Sequence, residues 1–172
     1  GEQLLDAKTT NGENDIMIAV KSGKAIRFPE SKVRPMGRTA SGVRGIWMED
    51  DDEAIGMVCV EPNNANILVV SENGFGKRSA IEDYRITNRG GKGVKTINMT
   101  EKTGNLIALI DVTDEDNLMI INRSGLTIRL EVSSLRVMGR NTQGVKLINL
   151  RNEDSIAAVA KVSAAKDEEN SE

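Results

Sequence analysis

The apolar residues of this chain fall into short runs that are rich in β-branched side chains and are separated by glycine or charged residues. Residues 16–20, 67–70 and 118–121 form three such runs, and each leads into a Ser-Gly or Asn-Gly pair. A buried-type run that ends at such a pair predicts a β-hairpin. No segment has a convincing helical period. The pattern therefore predicts an all-β chain.

The same unit recurs three times, with equivalent residues 51 positions apart. Its markers are three glycines at the hairpin, three at a later turn, and the apolar residues after that turn: Gly23, Gly74, Gly125; Gly42, Gly93, Gly144; Val43, Val94, Val145; Ile46, Ile97, Ile148. In the first unit we expect strands at 16–20, 25–28, 43–48 and 55–60, with counterparts in the other two. Four strands in about 50 residues is typical of a propeller blade. We therefore expect a β-propeller or β-pinwheel fragment of about three four-stranded blades.

Domain boundaries follow from the repeat. We expect blades at 15–65, 66–116 and 117–163. Residues 1–14, which contain the stretch Leu4-Leu5-Asp6-Ala7, are interpreted as the last strand of a preceding blade. Residues 164–172 are interpreted as a disordered acidic tail. In a stacked array both faces of a blade are buried, which explains continuous apolar runs in place of clean alternation.

The composition of the chain excludes or disfavours several classes of function. Apolar residues make up 38%, but there are only one Trp, one Tyr and two Phe, which disfavours single-strand binding by base stacking. With one Cys and no His, a zinc cluster, a disulfide frame and His-based catalysis are excluded. No run approaches the roughly 18 apolar residues of a membrane span, and no signal-peptide pattern is present. We expect a cytoplasmic protein with no membrane contact and no cofactor in this fragment.

The net charge of −3 hides a segregated pattern. Acidic residues cluster at 49–53, at 114–116 and in the tail, whereas residues 21–44 carry seven cations against the single acid Glu30. When the units are aligned, the cations fall into four columns: Arg27, Arg78, Arg129; Arg34, Arg85, Arg136; Arg38, Arg89, Arg140; and Arg44, Lys95, Lys146. In a radial array each column becomes an arc of charge, which suits duplex DNA bent along a rim and read through its backbone.

Each column also has a structural interpretation. Arg27 and its counterparts lie within a strand, where we expect about as readily a pairing with a neighbouring blade's carboxylate. The other three columns lie in loops without nearby acids, and there we favour phosphate contacts. Gly93 and its counterparts are interpreted as turn residues, Cys59 as an unreactive strand thiol, and Tyr84 and Trp47 as packing residues.

The most cationic loop is residues 84–95, whose centre is Arg89-Gly90-Gly91-Lys92-Gly93. It has no Walker A spacing, and residues 74–76 lack a dinucleotide fingerprint. The run Asp50–Asp52 lacks the EF-hand interval. We find no evident active site and no catalytic residue in this chain.

Residues 33–46, 73–78 and 137–145 resemble, nearly residue for residue, the C-terminal domain family of the DNA gyrase A protein, a β-pinwheel that wraps DNA. The order of these segments is similar to the last three blades of that domain. Residues 89–93 match the end of the family's diagnostic Gln-Arg-Arg-Gly-Gly-Lys-Gly box, but Thr87 and Asn88 replace its first two residues, which suggests a degenerate copy. The resemblance and the columns together give the candidate DNA-binding residues: Arg34, Arg38, Arg44, Arg85, Arg89, Lys92, Lys95, Arg136, Arg140 and Lys146.

The resemblance implies a role in negative supercoiling by an ATP-dependent type II topoisomerase, an isomerase. The implied partners are duplex DNA and the rest of the gyrase A and B proteins, with ATP and Mg²⁺ bound elsewhere in the parent enzyme. The sequence leaves two alternatives open: the C-terminal domain of the A-type protein of topoisomerase IV, and a protein-binding propeller scaffold that docks through its acidic loops. The acidic tail at 164–172 suggests a further hypothesis, competition with DNA for the basic rim.

Overall fold

A computed structural model describes residues 3–61 and 66–163. Within these residues the chain forms three antiparallel sheets and no α-helix, which confirms the all-β prediction. The first sheet has the order β3-β1-β2-β6, with β1 Asp15–Val20, β2 Lys24–Pro29, β3 Ala54–Val60 and β6 Val94–Lys95. The second has the order β10-β5-β4-β7, with β4 Asn66–Ser71, β5 Phe75–Ala80, β7 Leu106–Val112 and β10 Val145–Lys146. The third has the order β11-β8-β9, with β8 Asp116–Asn122, β9 Thr127–Glu131 and β11 Ile156–Ser163.

The sheets pack face to face as blades, and β4 shows why its sequence is a continuous apolar run. Ile67 and Val69 point into a core shared with Met17 of the first blade. Leu68 and Val70 point the other way, into a core shared with the third blade. All four side chains are fully buried. Successive side chains of a strand face opposite sides, so a strand buried on both sides needs apolar residues at every position.

The edge strands differ from the sequence prediction. Residues 43–48, 94–99 and 145–150 were each expected to pair within their own unit. Instead, β6 pairs with β2 of the preceding unit, through Lys24↔Lys95 and Ala25↔Val94. In the same way β10 pairs with β5, through Phe75↔Lys146 and Gly76↔Val145. Residues 43–48 form no strand.

The second and third units therefore reach across to the blade before them through the loop that follows their second strand. The loop begins after a single 3-10 turn, at Glu30–Lys32, Ile81–Asp83 or Val132–Ser134. In the second unit the Thr87 amide donates to the Arg27 carbonyl at 2.9 Å, and the Thr96 amide donates to the Gly23 carbonyl at 2.9 Å. In the third unit the amides of Met138 and Leu147 donate in the same way to Arg78 and Gly74 at 2.7 and 2.8 Å. The cationic loops are thus the connections between blades.

Gly93 allows this crossing, and its substitution gives a first prediction. Its φ is +72°, and a Cβ at this position would overlap the carbonyl oxygen of Ala25 on the neighbouring blade. Gly42 has a similar φ of +80° but nothing within 4 Å of its Cβ position. We expect Gly42→Ala to cost about 1 kcal/mol for the left-handed backbone alone, and Gly93→Ala to cost about 1–3 kcal/mol more. Urea unfolding of both variants measures this difference, and equal costs would contradict it.

Two predicted segments remain outside the sheets. Residues 4–7 form no strand, and Leu4 is 88% exposed. A strand needs a hydrogen-bonding neighbour, and none of the described residues provides one here, so the assignment to a preceding blade stays a prediction. The predicted tail at 164–172 lies outside the described residues.

Candidate nucleic-acid interface

The second column of cations lies on the exposed part of the connecting loops. Arg34, Arg85 and Arg136 each follow the 3-10 turn of their unit by two residues. All three side chains are exposed, and none forms a hydrogen bond or an ion pair with the described part of the chain. Three guanidinium groups at equivalent places in consecutive blades are thus available to an external anion.

Two members of the third column bind the protein itself. Arg89 donates through Nε to the Lys32 carbonyl at 3.0 Å and through Nη1 to the Arg44 carbonyl at 3.2 Å. Arg140 repeats the pair one unit later, with the carbonyls of Asp83 at 2.9 Å and Lys95 at 3.0 Å. Both side chains are half-buried. They hold their loops against the preceding unit, and their predicted phosphate contacts stay a prediction.

Arg38, the first member of that column, is exposed and has no hydrogen-bond partner among residues 3–61 and 66–163. It lacks the carbonyl contacts that Arg89 and Arg140 make within these residues. Arg38 therefore resembles Arg34 in its availability more than it resembles Arg89.

The fourth column lies at the edge of the sheets. Arg44, Lys95 and Lys146 are exposed, and the last two lie on the short strands β6 and β10. Lys146 places its Nζ 6.0 Å from the centroid of the Phe75 ring. Lys95 lies opposite Lys24, so this edge of the first blade presents two lysines to solvent.

The box-like segment at 89–93 is a turn that closes on the first blade. Gly90 and Gly93 have φ of +81° and +72°, which supports the interpretation of Gly93 as a turn residue. Gly144 repeats this geometry in the third unit, with φ of +81°. Lys92 extends outward and places its Nζ 4.7 Å above the ring of Trp47. Lys92 is exposed, so it can exchange this cation–π contact for a phosphate.

The first column proves to be structural at Arg27 and Arg78. The Arg27 side chain is 6% exposed and donates from Nε to Asp15 at 2.7 Å. Its Nη1 donates to the carbonyls of Ile81 at 3.0 Å and Tyr84 at 3.1 Å in the next unit. Arg78 binds equivalent groups through Nη1 alone, donating to Asp114 at 2.6 Å and to the carbonyls of Val132 and Leu135. The expected pairing with a neighbouring blade's carboxylate was wrong in one respect, because the carboxylate comes from the arginine's own blade and the neighbour supplies carbonyls.

Lys77 was missed by the sequence analysis. Its side chain is only 1% exposed, and its ammonium donates to the carbonyls of Gly139 at 2.9 Å, Thr142 at 3.0 Å and Arg140. Burial, with a smaller contribution from the charge of Arg140, lowers the pKa of Lys77 to about 8, so it stays mostly protonated at neutral pH. A signal was present: the equivalent positions in the other units are Ile26 and Ile128.

Burial disfavours a reactive role for Tyr84 and Cys59. Tyr84 is 1% exposed, its hydroxyl pairs with that of Thr96, and burial raises its pKa, as expected of a packing residue. Burial also raises the pKa of the Cys59 thiol in β3, which disfavours the nucleophilic thiolate. Among the residues that the structure describes, no group of three or more acidic, Cys or His side chains could hold a metal ion. None of the described helices could span a membrane.

Comparison with known proteins agrees with this architecture. The family described as "DNA gyrase C-terminal domain, beta-propeller" matches residues 14–61, 65–113 and 116–163, one match to each unit. The chain is 45% identical over 170 residues to the A protein of DNA gyrase from Staphylococcus aureus strain MRSA252, covering 98% of this chain and 19% of that protein. The same protein of strain NCTC 8325 is 44% identical over 172 residues, with the same 19% share. The chain thus spans about a fifth of the length of these relatives.

Two solved structures are similar. The C-terminal domain of DNA topoisomerase IV has a TM-score of 0.86 at 21% identity, over 92% of this chain and 50% of that one. The DNA gyrase A C-terminal domain has a TM-score of 0.78 at 26% identity, over 87% of this chain and 50% of that one. The first similarity shows the fold alone, so the higher TM-score does not decide between the two families. The family model, which matches each of the three units, does.

Proposed function

This chain belongs to the family of the β-propeller C-terminal domain of DNA gyrase, and from that membership we propose that it binds duplex DNA and bends it along the rim formed by its connecting loops. The observation that carries the proposal is the second column, Arg34, Arg85 and Arg136, which is exposed and has no internal partner within the described ranges. Evenly repeated cations suit a polyanion whose charges also repeat. Such contacts read the phosphate backbone and the deformability of DNA, with little base specificity.

The connecting loops favour a rigid surface for bending. Each loop that crosses to a preceding blade is held there by backbone hydrogen bonds, and both such loops are also held by Arg89 or Arg140. A cation on such a loop keeps its position relative to the neighbouring blade's cation. The energy needed to bend DNA can then be offset by several contacts made at once.

We extend the proposal to the longer protein. There, the module would place a DNA crossing for the distant cleavage site of the gyrase A protein, in support of ATP-dependent negative supercoiling in the cytoplasm. Its partners would be duplex DNA and the rest of the gyrase A and B proteins, with ATP and Mg²⁺ bound outside this chain. In this proposal the described part of the chain acts by binding alone.

The test of DNA binding is fluorescence anisotropy with a random-sequence duplex across a salt series. Each phosphate contact should contribute about 0.9 to the slope of log K against log salt concentration. If the exposed second and fourth columns both engage, we expect a slope of roughly −5. A flat dependence would overturn the proposal, and a matched assay with lysate proteins after nuclease treatment tests the scaffold alternative.

Trp47 reports where the duplex lies, because it is the only tryptophan. Lys92 lies above its ring, so a phosphate that draws Lys92 away should change the tryptophan emission. Lys92→Gln is the matched control, since it should abolish the emission change while the other loops still bind. A duplex that binds without altering the emission would place the DNA away from the loop at 84–95.

A further inference from the structure

Lys77 shapes the loop of the third unit from below. Its ammonium lies beneath residues 139–142 and is shielded from solvent, since the side chain is 1% exposed. Three carbonyls, those of Gly139, Arg140 and Thr142, turn toward it. Three donors satisfied by three carbonyls is a complete set for a lysine ammonium.

This arrangement fixes the direction of three backbone amides. In a trans peptide the N–H points opposite to the C=O of the same unit, and the described residues contain no cis peptide. The amides of Arg140, Asn141 and Gln143 follow the three carbonyls, so they point away from Lys77. None of the three donates a hydrogen bond within the described residues. Successive backbone N–H groups that point outward are the kind of donor from which anion-binding concavities are built.

The surroundings of these amides are cationic. Arg136 lies at the start of the same loop and Lys146 at its end, and both side chains are exposed. The loop of the second unit differs, since Ile26 stands in the place of Lys77 and the Gly90 amide already donates to the Gly45 carbonyl at 2.6 Å. Only the third unit, among those described, combines a buried ammonium with free outward amides.

We propose that residues 139–143 form a phosphate-binding nest, in which Lys77 turns three carbonyls inward so that the amides of Arg140, Asn141 and Gln143 receive one phosphodiester of a bound duplex. This proposal rests on the proposed DNA-binding function. It adds backbone N–H donors to the side-chain cations of the four columns. Lys77 is a positioning residue, because it reaches the phosphate only through the peptide groups.

The test is ¹⁵N–¹H correlation NMR of the whole chain, titrated in separate arms with a random-sequence duplex and with inorganic phosphate. We expect downfield shifts of the amide protons of Arg140, Asn141 and Gln143 with the duplex, and weaker shifts of the same amides with phosphate. Lys77→Ile, which copies Ile26 and Ile128, should abolish these shifts and weaken duplex binding roughly tenfold, while the loop at 84–95 still responds. If that variant does not fold, Asn141→Pro removes one of the three amide protons and should give a partial loss.

The outcomes separate the two proposals. If the duplex shifts the loop at 84–95 but not these three amides, the nest is wrong and the DNA-binding function stands. A response to inorganic phosphate without a response to the duplex would overturn the phosphodiester as the ligand. If the duplex binds nowhere, the proposed function itself is wrong.

Discussion

Replacing Arg27 by alanine should destabilise the chain by about 3–5 kcal/mol, the cost of leaving one buried charge without its partner. The Arg27 and Asp15 side chains are 6% and 5% exposed, so the carboxylate left behind cannot be solvated. The carbonyls of Ile81 and Tyr84 would lose their donor at the same time. Because these carbonyls belong to the next unit, the loss should loosen the junction between the first two blades. Urea unfolding at neutral pH measures the change.

Arg78→Ala is the matched control for this prediction. Arg78 makes the same kind of contacts, but its partner Asp114 is 69% exposed. Water can solvate that carboxylate when the arginine is removed, so we expect a cost of only about 1–2 kcal/mol, for the unpaired carbonyls. The double variant Arg27→Met with Asp15→Leu should recover much of the loss, because no buried charge remains. Equal costs for Arg27→Ala and Arg78→Ala would contradict the explanation.

How well the sequence predicts a part of this fold depends on how far apart in the chain the interacting residues lie. The 51-residue repeat correctly predicted the paired strands, such as β4 and β5, because their apolar runs and turn glycines are local signals. It did not predict that Val94–Lys95 pairs with the preceding unit, because the repeat is the same whether a strand stays with its own blade or crosses. A period gives the spacing of elements, while the choice of partner is made by tertiary packing.

The same distinction between local signals and tertiary packing applies to the cationic loops. Alignment of the three units correctly placed Arg85 and Arg89 in one loop. It could not show which of the two is exposed and which binds the protein. Only the geometry shows that Arg85 is exposed, whereas Arg89 binds the carbonyls of Lys32 and Arg44. Cations that the repeat aligns therefore do not all make the same kind of contact. Lys77 is the opposite case, because its equivalents in the other two units are Ile26 and Ile128. A lysine that replaces an isoleucine of the repeat marks a buried charge with a role of its own.

The second column provides the strongest test of DNA binding. The triple variant Arg34→Ala, Arg85→Ala and Arg136→Ala should weaken duplex binding roughly 10²–10³-fold at about 0.1 M salt. The reason is counterion release. Three lost contacts reduce the slope of log K against log salt concentration by about 2.7, which lowers K by nearly 3 log units at that concentration. None of the three side chains has a partner among the described residues, so the free energy of unfolding should change by less than about 0.5 kcal/mol per substitution. Anisotropy and urea unfolding on the same variant measure both quantities.

A second triple variant separates placement from net charge. Lys8→Ala, Arg123→Ala and Arg151→Ala remove the same number of exposed cations from positions outside the connecting loops. Long-range attraction depends on total charge and is screened over about 10 Å at 0.1 M salt, so this control should lose well under tenfold in affinity. Equal losses in the two triple variants would mean that DNA responds to overall charge alone. A loss confined to the loop variant would mean that the duplex follows the connecting loops, two of which the backbone holds against the preceding blade.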